Sequence, residues 1–241
     1  MAVPRPITIC SEAEYITRSD ETLSGFFAGC VAAPDNCAIA GGNKTAAQLE
    51  AEFYDFLYDV KYLPLSDGFS SLFRYADIKA VLRNTLYAPS GWANFSVALK
   101  AVYEGNLTQA SLALSGGFNP GAGIATTPEA NFGIRGADKT VRSKSLTDFM
   151  PSIEKILETS QSIGDVSVFV QAAVTQWLTP AVEVYGGDFK VKTKKPVLLV
   201  SNTFDPVAPL EAAERLNGLL EGSSLLINNG YGVSNSSRLV S

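Results

Sequence analysis

The sequence predicts an α/β chain: a mostly helical region over about residues 19–177, then one strand–helix–strand unit after Pro180. Two observations carry this. Apolar residues recur at three- and four-residue spacing in the first region, as on the buried face of a helix. The last part instead holds two short apolar runs, Pro196-Val-Leu-Leu-Val200 and Ser224-Leu-Leu-Ile-Asn228, on either side of a helical stretch. At 241 residues, 46% hydrophobic and 18% charged, the chain has the composition of a folded globular protein.

Ser19-Asp20-Glu21 opens an amphipathic run through Leu23, Phe26, Phe27 and Cys30. Thr45 and Gln48 have capping-box spacing and begin a helix through Leu49, Phe53, Phe56, Leu57 and Val60, which Pro64 ends. Further helices are predicted over Ser71–Asn84, Trp92–Glu104, Leu107–Leu114, Leu146–Ser160 and Ser167–Trp177, with Gly- and Pro-rich linkers such as 115–123. The run Lys192–Lys195 reads as a solvated loop. Pro196–Val200 then has the pattern of a buried parallel strand, and Ser201–Pro209 reads as a loop. Pro209 suits the first turn of a helix over Leu210–Leu220, and Gly222 suits its stop. Two parallel strands cannot cover their own faces and edges, so the pattern calls for further strands that the preceding residues do not supply.

Composition removes several functions. A net charge of −5 and scattered basic residues do not suit a nucleic-acid binder. The chain has no histidine, which excludes His-based acid–base catalysis and His-ligated metal within it, and three cysteines are too few for a four-thiolate zinc site. No metal or cofactor is expected. No apolar run approaches the roughly 20 residues of a membrane span, and Met1–Cys10, with two prolines, does not read as a signal peptide. Other features point outside the cell. Cys30 and Cys37 flank the turn Ala33-Pro34-Asp35-Asn36; a disulfide there would contribute about 2–3 kcal/mol by loop closure. N-x-S/T sequons stand at Asn43, Asn94, Asn106 and Asn235. Together these suggest a secretory origin and an N-terminal region ahead of the chain. Cys10 has no obvious partner.

The segment Lys195-Pro-Val-Leu-Leu-Val-Ser-Asn-Thr-Phe-Asp-Pro-Val-Ala-Pro-Leu210 resembles the C-terminal signature of tripeptidyl-aminopeptidase-like (TAP-like) α/β-hydrolases, relatives of the prolyl aminopeptidases. Gly25-Phe-Phe-Ala-Gly-Cys-Val-Ala-Ala-Pro-Asp-Asn-Cys37 is similar to the helix and disulfide loop that begin that family's helical cap. The resemblance implies an incomplete α/β-hydrolase. Residues 1–18 would be a leader or remnant outside the family, 19–192 a helical cap, 193–232 the C-terminal core segment and 233–241 an aberrant tail. It also implies that Asp205 is the acid of a Ser-Asp-His triad, orienting an imidazole and stabilising its protonated form. An aspartate before proline could instead serve only to cap the following helix.

Three departures from the family pattern matter. No G-x-S-x-G nucleophile elbow occurs; Ser90-Gly-Trp92 and Leu114-Ser-Gly-Gly117 lack its glycine spacing. Where the family has a G-H-C-S turn, this chain reads Gly230-Tyr-Gly-Val-Ser234, so Val233 takes the histidine's place. A second cap cysteine pair is replaced by Gly136 and Val174 together. Val-Ser can be encoded by GTRAGY, which resembles an intron donor. One explanation of the tail from Val233 is therefore translated intron, which the sequence of the mature transcript would test; the other is a pseudoenzyme with a drifted terminus.

The expected function is thus the C-terminal part of a secreted serine hydrolase of the aminopeptidase type, acting on peptides or small amides and esters in its complete form and inactive as this chain. Trp92, Tyr87 and Phe95 could line a substrate pocket, although aromatics at that spacing more often form a core. The alternatives are a non-catalytic binding or regulatory cap module, and complementation by a separately encoded N-terminal half, which the missing histidine disfavours. Oligomeric state is not legible.

Overall fold

The computed structural model describes residues 12–66, 72–117, 128–138, 142–183 and 190–233. Cys10, Asn235 and the tail from Ser234 lie outside them. The chain divides into two compact units, residues 20–124 and residues 1–19 with 125–241.

Helices α1 (Ser19–Ala32), α2 (Ala46–Tyr62), α3 (Tyr75–Tyr87), α4 (Trp92–Tyr103) and α5 (Leu107–Gly117) build the unit of residues 20–124. The Thr45–Gln48 capping box forms as its spacing predicts: Gln48 N donates to Thr45 Oγ1 at 3.2 Å and Thr45 N donates to Gln48 Oε1 at 2.8 Å. Leu49, Phe53, Leu57 and Val60 make the buried stripe of α2. Phe26, Phe27, Phe53 and Phe95 form an aromatic core, with centroids 4.9 Å apart for Phe26–Phe27, 5.3 Å for Phe26–Phe95 and 5.8 Å for Phe27–Phe53. Trp92 stands edge-on to Phe26 and donates from Nε1 to Thr85 O at 3.2 Å, so it and Phe95 serve this core. The disulfide Cys30–Cys37 is present, with Cα atoms 5.0 Å apart.

The predicted helix from Ser71 begins later. Strands β1 (Leu65–Ser66) and β2 (Leu72–Phe73) pair antiparallel, and Phe73 packs against Ala101, Val102 and Ala110. That packing holds the chain extended until Arg74, whose backbone N–H donates to the Asp77 carboxylate at 3.0 Å and starts α3.

The second unit contains a short 3-10 turn (Glu12–Tyr15) and helices α6 (Pro128–Asp138), α7 (Leu146–Thr159) and α8 (Gly164–Thr175), around Ile16, Phe149, Ile156, Ile163 and Val174. Helix α6 was not predicted. Its two glycines weaken helical propensity, yet Gly136 lies directly under Trp177: a Cβ there would sit 2.5 Å from Trp177 Cγ and 2.9 Å from its Cβ. Helix α8 begins three residues before the predicted Ser167.

The same unit carries β3 (Val191–Lys192), β4 (Leu198–Phe204), α9 (Leu210–Leu219), β5 (Leu220–Glu221) and β6 (Ser224–Tyr231). β4 and β6 run parallel, Leu198 opposite Ser224 and Asn202 opposite Asn228, so the predicted strand–helix–strand unit is present. Three details differ from the expectation. Strand β4 continues through Ser201–Phe204, because the β6 ladder and an Asn228 Nδ2 to Asn202 Oδ1 bond of 2.8 Å hold these polar residues. Lys192 is not in a loop but pairs in β3 with β5, its Nζ 2.6 Å from Glu221 Oε1. The apolar run is also not buried. Leu198 is 63% exposed, Leu226 43% and Ile227 48%, since among the described residues β4 pairs only with β6. Pro209 is the residue before α9 rather than its first turn, and Gly222, at φ +80°, makes the left-handed turn into β6. No described helix is long and apolar enough to cross a membrane.

Candidate functional site

Parallel pairing brings the carboxyl ends of β4 and β6 to one edge. Phe204 lies opposite Tyr231, their rings stacked at 4.8 Å. Gly232 N donates to Phe204 O at 3.0 Å, and Asn202 Nδ2 donates to Gly232 O at 2.7 Å. These bonds lock the two strand ends together. The residues just beyond them, Asp205 and Val233, line one cavity of about 630 Å³. Sequence spacing had related them only by resemblance; here both border the same space.

Asp205 is 1% exposed. Its Oδ1 accepts the backbone N–H of Val207 at 3.0 Å and of Ala208 at 2.8 Å. The helix-side role is therefore real: the carboxylate holds the turn that leads into α9. It does not exclude a second role, because a carboxylate has about four acceptor sites. Asp205→Ala is expected to cost about 1–3 kcal/mol by leaving the two amides without their acceptor, whereas Asp205→Asn, which keeps an Oδ1, should cost less than half as much. Urea unfolding of the two variants checks this; equal losses would show that the turn does not depend on Oδ1.

The other walls come from β4 and α9, including Leu199, Val200, Ala212 and Leu216, and from Glu14, Tyr15 and Thr17. The last three lie in the region expected to be a leader outside the family, and no local sequence signal marks them. Glu211, in the first turn of α9, pairs with Arg18 across 193 residues. Burial alone would raise its carboxyl, but the Arg18 guanidinium and a backbone N–H bring it below the usual carboxylate range. A group so lowered contributes stability above its unfolded value and loses it as the pH falls.

Chemically, the cavity offers a held carboxylate among mostly apolar walls. Valine at 233 can neither take nor give a proton, and no histidine exists in the chain to do so. Ser201 also borders the cavity, but it is 4% exposed in mid-strand and sits on no strand-to-helix turn. Ser90 lies in a 3-10 turn and Ser115 within α5, neither at an elbow between strand and helix. Among the described residues, no three His, Cys, Asp or Glu side chains are grouped to hold a metal.

Of the other predicted positions, Asn43, Asn94 and Asn106 are exposed. Gly136 and Val174 occupy α6 and α8, where Trp177 fills the space over Gly136 and Val174 is fully buried.

Residues 167–238 match the model of the family described as TAP-like protein. A search of curated proteins finds no match.

Proposed function

We propose, from the match of residues 167–238 to the TAP-like protein family, that this chain is the C-terminal part of a secreted serine hydrolase of the aminopeptidase type. It supplies the triad acid, Asp205, and the helical cap. The complete enzyme would cleave peptides or small amides and esters, while this chain is inactive alone. The observation that carries the reading is the shared cavity of Asp205 and residue 233 at the ends of β4 and β6. An aspartate beyond one strand and an imidazole beyond the next would meet there, and in this chain valine stands at the second place. The Cys30–Cys37 disulfide supports an oxidising compartment.

The exposed Leu198, Leu226 and Ile227 support the incomplete core, since a strand pair with open apolar faces is prone to association. A second reading, a non-catalytic binding module, draws on the same cavity, whose walls are mostly apolar and large enough for a small ligand. Size-exclusion chromatography with urea unfolding of the expressed chain separates them. Association or non-cooperative unfolding is expected; a cooperatively unfolding monomer would favour the module.

A further inference from the structure

We propose that Asn43 is an N-glycosylation site, and that folding sorts it from the sequon at Asn94. Asn43 lies in the turn between the disulfide loop and α2, exposed, with φ at +56°. A Cβ built at nearby Gly41 meets nothing within 4 Å, and one at Gly42 meets only the end of the Lys44 side chain, at 3.9 Å. The sequon's Thr45 is also exposed. Thr45 Oγ1 accepts Gln48 N at 3.2 Å in the capping box but lies at the surface, so the carboxamide and the hydroxyl two residues on are both exposed after folding.

Asn94 differs. Its side chain is exposed on α4, but the hydroxyl of its sequon belongs to Ser96, which is 0% exposed. Ser96 Oγ donates to Ala93 O at 2.7 Å and accepts Ala38 N, next to Cys37, at 2.9 Å. Formation of the Cys30–Cys37 loop thus helps to close that sequon. At Asn106 the carboxamide is engaged at the start of α5, with Oδ1 accepting Gln109 N at 3.0 Å and Nδ2 donating to Gln109 Oε1 at 3.2 Å. Asn43, unlike Asn94, keeps both its carboxamide and its sequon hydroxyl at the surface.

The transfer takes a lipid-pyrophosphate-linked oligosaccharide from the secretory compartment. Asn43 Nδ2 forms a bond to the anomeric carbon and loses one proton, and the carbon–oxygen bond to the lipid pyrophosphate breaks as that group leaves. No oxidant or reductant is consumed.

The proposal rests on the secretory reading, so its test supplies entry to the pathway independently. The full chain is expressed in yeast behind a cleavable secretion leader, and site occupancy is mapped by peptide mass spectrometry after glycosidase release in heavy-oxygen water. Asn43 should be occupied at least several-fold more than Asn94. A thiol reductant during synthesis should raise occupancy at Asn94 and leave Asn43 unchanged. Asn43→Gly, which suits the left-handed turn, should remove one glycan's mass from the secreted, disulfide-bonded product. A bare Asn43 in that product overturns the assignment without touching the secretory reading, and so does equal occupancy of Asn43 and Asn94 whether or not reductant is present.

Discussion

Replacing Phe53 by alanine should cost about 3–5 kcal/mol, the range for deleting a fully buried aromatic ring. Phe53 is 0% exposed on the inner face of α2 and meets Phe27 at 5.8 Å and Phe95 at 6.5 Å, so it joins α1, α2 and α4 in one cluster. Its removal leaves a space that the facing rings of Phe27 on α1 and Phe95 on α4 cannot close together. A folded domain has roughly 5–15 kcal/mol of stability in all, so the variant should lie near the edge of unfolding at room temperature. The change can be followed by tryptophan fluorescence during urea unfolding in a Trp177→Phe background, where Trp92, in edge contact with Phe26, is the remaining reporter. A loss under 1 kcal/mol would show that the aromatic cluster is not the core of this unit.

The second large effect is expected at Gly136. A Cβ there falls 2.5 to 2.9 Å from the Cγ, Cδ2 and Cβ atoms of Trp177. These atoms lie at the root of the side chain, so rotating the outer ring gives no relief. Gly136→Val should therefore destabilise by about 2–3 kcal/mol through overpacking, even though a helix interior ordinarily disfavours glycine. Trp177→Ala should recover part of that loss, a coupling that additive substitutions would not show. Unfolding of the single and double variants followed by circular dichroism measures it. Additive losses would mean that Gly136 and Trp177 do not press on one another.

The contrast between these positions shows what sequence could carry. Phe53 was legible because helical periodicity and the Thr45–Gln48 box are local, and α2 formed where they placed it. The Cys30–Cys37 bridge was legible for the same reason: its partners are seven residues apart. Helix α6 was not, because its glycines lower local propensity while the contact that uses one of them, with Trp177, is 41 residues away in sequence (177 − 136). Burial in β4 was misjudged because an apolar run states what a strand would bury, and not whether anything lies against it; Leu198 remains largely exposed. At the candidate site, Asp205 and residue 233 could be found from motif resemblance. The wall formed by Glu14, Tyr15 and Thr17 could not, since tertiary contact alone brings those residues to the cavity.

The account depends on a cavity that holds an acid without a base or an activated hydroxyl. A fluorophosphonate probe, which reacts with serines whose hydroxyl has been activated, tests this most directly on the purified chain. No serine should be labelled above the level of heat-denatured protein. Stoichiometric labelling of one serine, lost in Asp205→Asn, would contradict the account.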